Sequence, residues 1–384
     1  MKRREFITNS TLLGGFTLLG MGSMLESCST KNQPKFQGKR LIIVRARGGL
    51  DGYQLLADSK FELFNKLRPD LFKHTKRNGL DWKQDWKINP EFPIISELVQ
   101  RHSLQFIPNI GFPDYNRLSH FAASDMWETG SVVGEKLLKT GWVGRLLDEK
   151  RLEPKWNNSP VLLMSDSETI FDVGKDYTGT NWTNFNPNAN YTSLVSNWIV
   201  DYQSIPLDPE SKEIFMGIKQ NHRIQEIIKS LEETSGISDR NFLGHMDRIT
   251  KCIRADVPFQ VFHVTQDGYD THHKQEIRMK PLVDELFTGL TKLENDLKAS
   301  GHWDDTLVFV YTEFGRTIAQ NANFGTDHGT ANHAYLLGGK IPKLPFNNIP
   351  ELQTILIGET EYLKHEVDFR DVYQLLTNSW LINK

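Results

Sequence analysis

The sequence predicts an α/β fold with a mostly parallel central sheet flanked by helices. Three observations carry the prediction. Short apolar runs without alternation read as strands buried on both faces. Between them lie stretches whose apolar residues recur at helical spacing. Each run also opens into a polar loop, and in a parallel sheet ligands gather at the carboxyl ends of the strands.

In chain order, Leu41–Val44 of "GKRLIIVRARGGLDGY" is the first strand, ending in a glycine-rich turn with Arg47 and Asp51. Leu104–Gly111 is the second and runs into "FPDYNRLSHF". "SHFAASDMWETG" reads as a helix with Ser119 near its start and Gly130 at its end. Phe259–Val264 is a third strand, opening into "DGYDTHH". Leu282, Leu286, Leu290, Leu293 and Leu297 then repeat at helical spacing, and that helix stops at Gly301. Leu307–Tyr311 is the fourth strand, before "TEFGRT"; "AYLLGG" and a helical "DFRDVYQLLTNSW" close the chain. Residues 60–100, charged and with little periodicity, and 175–235, which include the Asn-rich "NWTNFNPNANYTS", read as insertions or a cap. Substrate specificity would be set there.

With 45 basic against 48 acidic residues, the chain gives no electrostatic case for a nucleic-acid partner. Its 22 Phe, 10 Tyr and 9 Trp exclude a disordered protein. Residues 1–30 stand apart. "MKRREFI" followed by "TLLGGFTLLGMGSML" is a positive front end and a short glycine-rich apolar region, which reads as an export signal and not a membrane span. Arg3 and Arg4 resemble a twin-arginine signal, read by the twin-arginine translocase; the general secretion route is the alternative. "LESCST" resembles a lipoprotein cleavage box with Cys28 as the acylated residue, although Glu26 stands where a small residue is usual. Both outcomes stay open: a periplasmic protein, or one anchored to the membrane through Cys28. Without Cys28 only Cys252 remains, so the mature protein forms no internal disulfide.

Chemistry-bearing residues follow every strand. Asp51 in "GGLDG" can reach an ion or cap a turn. Ser119 can be a nucleophile in the positive field of a helix N-terminus or simply cap that helix, with His120 beside it. Asp270 and His272 in "DGYDTHH" are a carboxylate and an imidazole two residues apart, suited to a divalent ion. Glu313 can be a ligand, and Arg316 can grip an oxyanion or brace the loop by pairing with Glu313. Asp327 and His328 project from the tight "GTDHG" turn, and His333 is a further partner or an ordinary polar residue.

In order, "RGGLDG", "SHFAASDMWETG", "GWVGR", "DGYDTH", "TEFGRT", "GTDHG" and "DFRDVY" resemble the bacterial exported DUF1501 family along almost the whole mature chain, 38–384. Tyr269 stands where that family has Trp. Through it the chain looks like a divergent member of the alkaline phosphatase and sulfatase superfamily. The resemblance implies an alkaline-phosphatase-like sandwich holding one or two divalent metals, Zn or Mn/Ca. It implies Ser119 as nucleophile, Asp51, Asp270, His272 and His328 as ligands, Glu313 where the superfamily has Asp-His, and Asp327 as ligand or orienter. Arg316 would bind the oxyanion, with Arg47 and His120 against substrate. The expected function is an exported metal-dependent hydrolase of small-molecule or glycan phosphate or sulfate esters. The alternative is a non-catalytic scaffold or surface-glycan binder. A redox protein is disfavoured, because the chain has one mature Cys and no dinucleotide fingerprint.

Overall fold

The computed structural model describes residues 36–382 except 114–117, 133–137, 150, 153–159, 165–168, 177, 182–240 and 347–348. The expected signal, Cys28 and most of the stretch 175–235 lie outside the described residues.

The strands are β1 (Arg40–Arg47), β2 (Leu56–Asp58), β3 (Leu80–Lys83), β4 (Trp86–Ile88), β5 (Leu104–Gly111), β6 (Val161–Met164), β7 (Thr180–Asn181) and β8 (Val261–Asp267). They continue with β9 (Thr306–Tyr311), β10 (Gly315–Arg316), β11 (His328–Gly329), β12 (Asn332–Gly338), β13 (Thr354–Ile357), β14 (Thr360–Leu363) and β15 (Val367–Asp368). The helices are α1 (Gly52–Leu55), α2 (Glu62–Leu67), α3 (Pro69–Asn78), α4 (Pro93–Gln100), α5 (His120–Thr129), α6 (Trp142–Asp148), α7 (Phe242–Arg254), α8 (Gln275–Ser300) and α9 (Phe369–Leu375).

The main sheet runs β15-β5-β12-β9-β1-β8-β6-β7. β1 is parallel to both β8 and β9, and β8 is parallel to β6. β12 alone runs against its neighbours β5 and β9. The sheet is therefore mostly parallel, as the continuous apolar runs predict, because helices cover both faces. Ile42, Val44 and Ala46 of β1 face one core with α7 and α8, while Leu41 and Ile43 face a second core with α5, α6 and α9. Ser119 caps α5 by accepting from the Ala122 amide, and Gly130 and Gly301 end α5 and α8 in the left-handed region.

Residues 60–100 are less peripheral than their weak periodicity suggests. They form α2, α3 and α4 and two strands of the small sheet β2-β4-β3. Phe64, Phe72, Trp86, Phe92 and Leu98 join the core beneath β1. Short helices and three-residue strands place their few apolar side chains inward without repeating long enough to show a period.

His333 lies fully inside this core. Its Nε2 donates to the Leu56 carbonyl at 2.8 Å, and its Nδ1 accepts the Asn109 amide at 3.3 Å. Burial lowers its pKa to about 4. The unfolded imidazole titrates near 6.5, so the unfolded chain binds the proton first as pH falls. Stability is therefore unaffected by His333 above about pH 6.5 and declines from there toward pH 4, by at most about 3 kcal/mol for this one group. Urea melts of the wild type and of His333→Gln over this range check it: the variant is the weaker protein at pH 8 and loses less on acidification.

Candidate functional site

The loops after β1, β5, β8 and β9 meet at one end of the sheet. Thr312 joins two of them: its Oγ1 accepts the Gly49 and Leu50 amides at 3.1 Å each and donates to the Ala46 carbonyl. Gly48 has φ +118°, and a Cβ there would stand 2.4 Å from the Asp270 amide nitrogen. A glycine is required to let the β8 loop approach the β1 loop this closely. Asn332 holds the same turn from β12, accepting from the Gly52 amide and donating to the carbonyls of Leu50 and Phe314.

Asp270 is at the middle of a group of imidazoles. His272 Nε2 lies 3.0 Å from its Oδ1, His328 Nε2 3.5 Å from the same oxygen, and His120 Nε2 3.4 Å from Oδ2. Each histidine is held from behind through Nδ1. His120 Nδ1 is 2.8 Å from Glu313 Oε1, His272 Nδ1 2.8 Å from Asp327 Oδ1, and His328 Nδ1 2.7 Å from the Leu118 carbonyl. Carboxylates and carbonyls only accept, so all three Nδ1 atoms carry a hydrogen, and in the neutral form of each ring it is Nε2 that presents the lone pair. His272 Nε2 and His328 Nε2 are 3.1 Å apart. Two imidazole nitrogens at that distance need a cation between them, either a proton that one donates to the other or a metal ion that both bind.

The electrostatics agree with that geometry. Burial opposes ionisation of Asp270, but Arg316, His272 and His120 hold its carboxyl below the ordinary value. Glu313 is likewise held low despite burial, by His120, Arg45 and the Gly48 amide, which donates to Oε1 at 2.9 Å. The hydrogen bond to Glu313 raises His120, against its partial burial. Burial lowers His328, with the nearby Arg316 and the other two histidines adding to the effect and the Leu118 carbonyl opposing it. Asp327 is held low against burial by His272 and Asn321.

His120, Asp270 and His328 can each offer one atom to an ion, and these atoms all lie within 4.8 Å of one another. Two ligands about 2.0–2.1 Å from a tetrahedral Zn²⁺ stand about 3.3 Å apart; Asp270 lies 3.4 Å from His120 Nε2 and 3.5 Å from His328 Nε2, while His272, 3.0 Å from Asp270, stands outside that group of three. The fit includes the supporting shell: each imidazole has the Nδ1 acceptor that metal-bound histidines need.

The remaining expected residues are placed differently. Asp51 is fully buried, bridged to Arg68 Nη1 at 3.1 Å and to Gln275 Nε2 at 2.7 Å, so its carboxylate is occupied away from the imidazoles. Arg68, which holds it, also donates to the carbonyls of Ile318 and Thr317. Arg316 is not an open clamp. Its guanidinium donates to the carbonyls of Gly48, Gly49, Tyr269 and Thr326 and to Asp270 Oδ1, and its side chain is 0% exposed. It binds three loops together and steadies Asp270. Arg47 pairs with Asp267 at the surface. Glu313 is buried behind His120 and pairs with it, not with Arg316. His120 reaches into the cluster, and Asp327 stands behind His272 at the rim. Ser119 is exposed between Leu118 and His120, both of which contact the cluster. Gln275 and Arg68 carry no sequence signal, since each acts on a partner more than a dozen residues away.

Residues 107–343 match a family described as "Protein of unknown function (DUF1501)". The chain belongs to this family. No curated protein matches it. Among solved structures, the lipoteichoic acid synthase LtaP from Listeria monocytogenes is 10% identical over 79% of this chain and 65% of its own, with a TM-score of 0.37. This DUF1501 chain thus spans about two thirds of that structure. Alkaline phosphatase from the Antarctic bacterium TAB5 is 8% identical over 79% and 92%, TM-score 0.36. The PsFucS1 sulfatase from Pseudoalteromonas sp. is 10% identical over 90% and 68%, TM-score 0.37.

Proposed function

We propose that this chain is an exported, metal-dependent hydrolase of phosphate or sulfate esters. The observation that supports it is the convergence of three Nε2 atoms on Asp270 at the carboxyl ends of the strands. His120, Asp270, His272 and His328 would hold one divalent ion, and Zn²⁺ suits three imidazoles and a carboxylate best. When bound, such an ion polarises the ester oxygen and offsets charge that builds up there.

The chain's own residues then have distinct tasks. Ser119 offers a hydroxyl at the N-terminus of α5, a ten-residue helix whose positive end favours an anionic ester group. Attack by its oxygen on phosphorus or sulfur releases the alcohol, and water then cleaves the serine ester to return the hydroxyl. Glu313 and Asp327 keep His120 and His272 in the tautomer that points Nε2 at Asp270. Arg316 is a positioning residue that steadies Asp270. Asp51 and Arg68 form an internal brace.

A panel of aryl phosphates and sulfates tests the proposal on metal-loaded protein. Turnover in the wild type that drops by about 1,000-fold or more in Ser119→Ala, with metal content unchanged, is the expected result. Loaded wild type that turns over nothing in the panel favours the second reading, a metal-holding scaffold or glycan binder. The occupied guanidinium of Arg316, which leaves no free clamp at the cluster from that residue, is the observation on that side.

A further inference from the structure

Behind α5, on the sheet face that carries Arg45, lies a buried polar region that the proposed chemistry does not use. Arg45 of β1 pairs with Glu128 of α5 at 2.7 Å, with side chains 9% and 7% exposed. Around this pair, seven polar side-chain atoms are buried without a hydrogen-bond partner among the described residues: Arg45 Nε, Trp127 Nε1, Trp142 Nε1, Asp172 Oδ1, both ring nitrogens of His263, and the Tyr311 hydroxyl.

These groups are neighbours. Arg45 is in register with Tyr311 on β9, and Ile43, two residues before it on the same face, is in register with His263 on β8. Trp127 stacks on Tyr311 at 4.8 Å between ring centroids. Phe171 links Trp142, at 5.4 Å, to His263, at 4.9 Å. Glu128 Oε2 accepts the Ile170 amide, which brings Asp172 to the same side. Burial and the Arg45 charge lower the His263 pKa to about 3, so the ring is neutral, with one nitrogen donating and the other accepting.

A protein interior rarely leaves one such group unsatisfied, and seven beside a buried ion pair is a concentration that closely packed apolar side chains cannot explain. We propose that the protein holds a small cluster of ordered water molecules here, enclosed between the sheet and helices α5 and α6. Six of the seven atoms, two of them on one ring, belong to donors or to groups that can donate as well as accept, and Asp172 supplies an acceptor; water meets both needs. An internal water makes about three hydrogen bonds, so about two or three molecules satisfy the set. The cluster lies directly behind the site. Arg45 Nη2 also donates to Ser124 Oγ, which donates to the His120 carbonyl, so the hydrated ion pair anchors the turn that carries His120.

A crystal structure of the wild-type protein, at a resolution that orders internal solvent, tests this together with Tyr311→Phe. Expected are water peaks within hydrogen-bonding distance of the Tyr311 hydroxyl and of at least one ring nitrogen among His263, Trp127 and Trp142. Tyr311→Phe then lowers Tm, because it removes a hydroxyl that bonds to the cluster. A dry, closely packed region, with Tyr311→Phe raising Tm by deleting an unsatisfied hydroxyl, overturns the proposal. If the variant does not fold, the wild-type density decides.

Discussion

Asp270→Asn protein takes up no divalent metal at concentrations that saturate the wild type. Among the described residues Asp270 is the one anionic group that all three Nε2 atoms approach, at 3.0 to 3.5 Å, and the amide replaces its charge with a group that includes donors. The loss exceeds that of Glu313→Gln, which leaves the ligands in place but weakens the orientation of His120. Loss of such a supporting carboxylate costs about 10- to 100-fold in metal affinity. Titration calorimetry with Zn²⁺ on wild type and both variants separates the two effects, provided circular dichroism shows each protein folded. Asp270→Asn binding as tightly as wild type removes Asp270 from the centre.

Asp51→Ala has the opposite profile: a large loss of stability with metal content retained. The substitution leaves the Arg68 guanidinium buried and without its carboxylate, at 1% side-chain exposure. Removing one partner of a buried ion pair costs about 3–5 kcal/mol. Gln275 also loses the oxygen to which it donates, at the start of α8. Urea denaturation measures the first effect, and elemental analysis of the folded variant measures the second. A variant as stable as wild type but free of metal would make Asp51 a ligand and not a brace.

The contrast between these residues shows what could be read from the sequence. The strand cores were legible because a run such as Leu307–Tyr311, buried on both faces, needs no partner to announce it. Gly130 and Gly301 likewise mark helix ends by local backbone demands alone. The convergence of loops on one sheet end also follows from parallel topology. What could not be read is which of several acids faces the histidines. Asp51 and Asp270 both follow a buried strand, yet Arg68 engages one and leaves the other to His120, His272 and His328. Arg68 sits in a stretch with no visible period, and Gln275 is more than 200 residues from Asp51. Glu313 is a similar case: its position after β9 is evident, but its burial behind His120 depends on the β1 turn, whose Gly48 amide it binds.

Arg316 shows the same limit from the other side. An Arg just past a buried strand suits an oxyanion, and nothing local distinguishes that role from a structural one. Only the carbonyls of Gly48, Gly49, Tyr269 and Thr326, contributed by three separate loops, decide it.

The proposed function depends on the metal centre, so the most direct measurement is the metal content of the wild-type protein purified after natural export. About one divalent ion per chain is expected, lost in Asp270→Asn and retained in Asp51→Ala, in keeping with one group of converging ligands among the described residues. Folded wild-type protein that carries no divalent metal, and gains none on dialysis against Zn²⁺ or Mn²⁺, contradicts it.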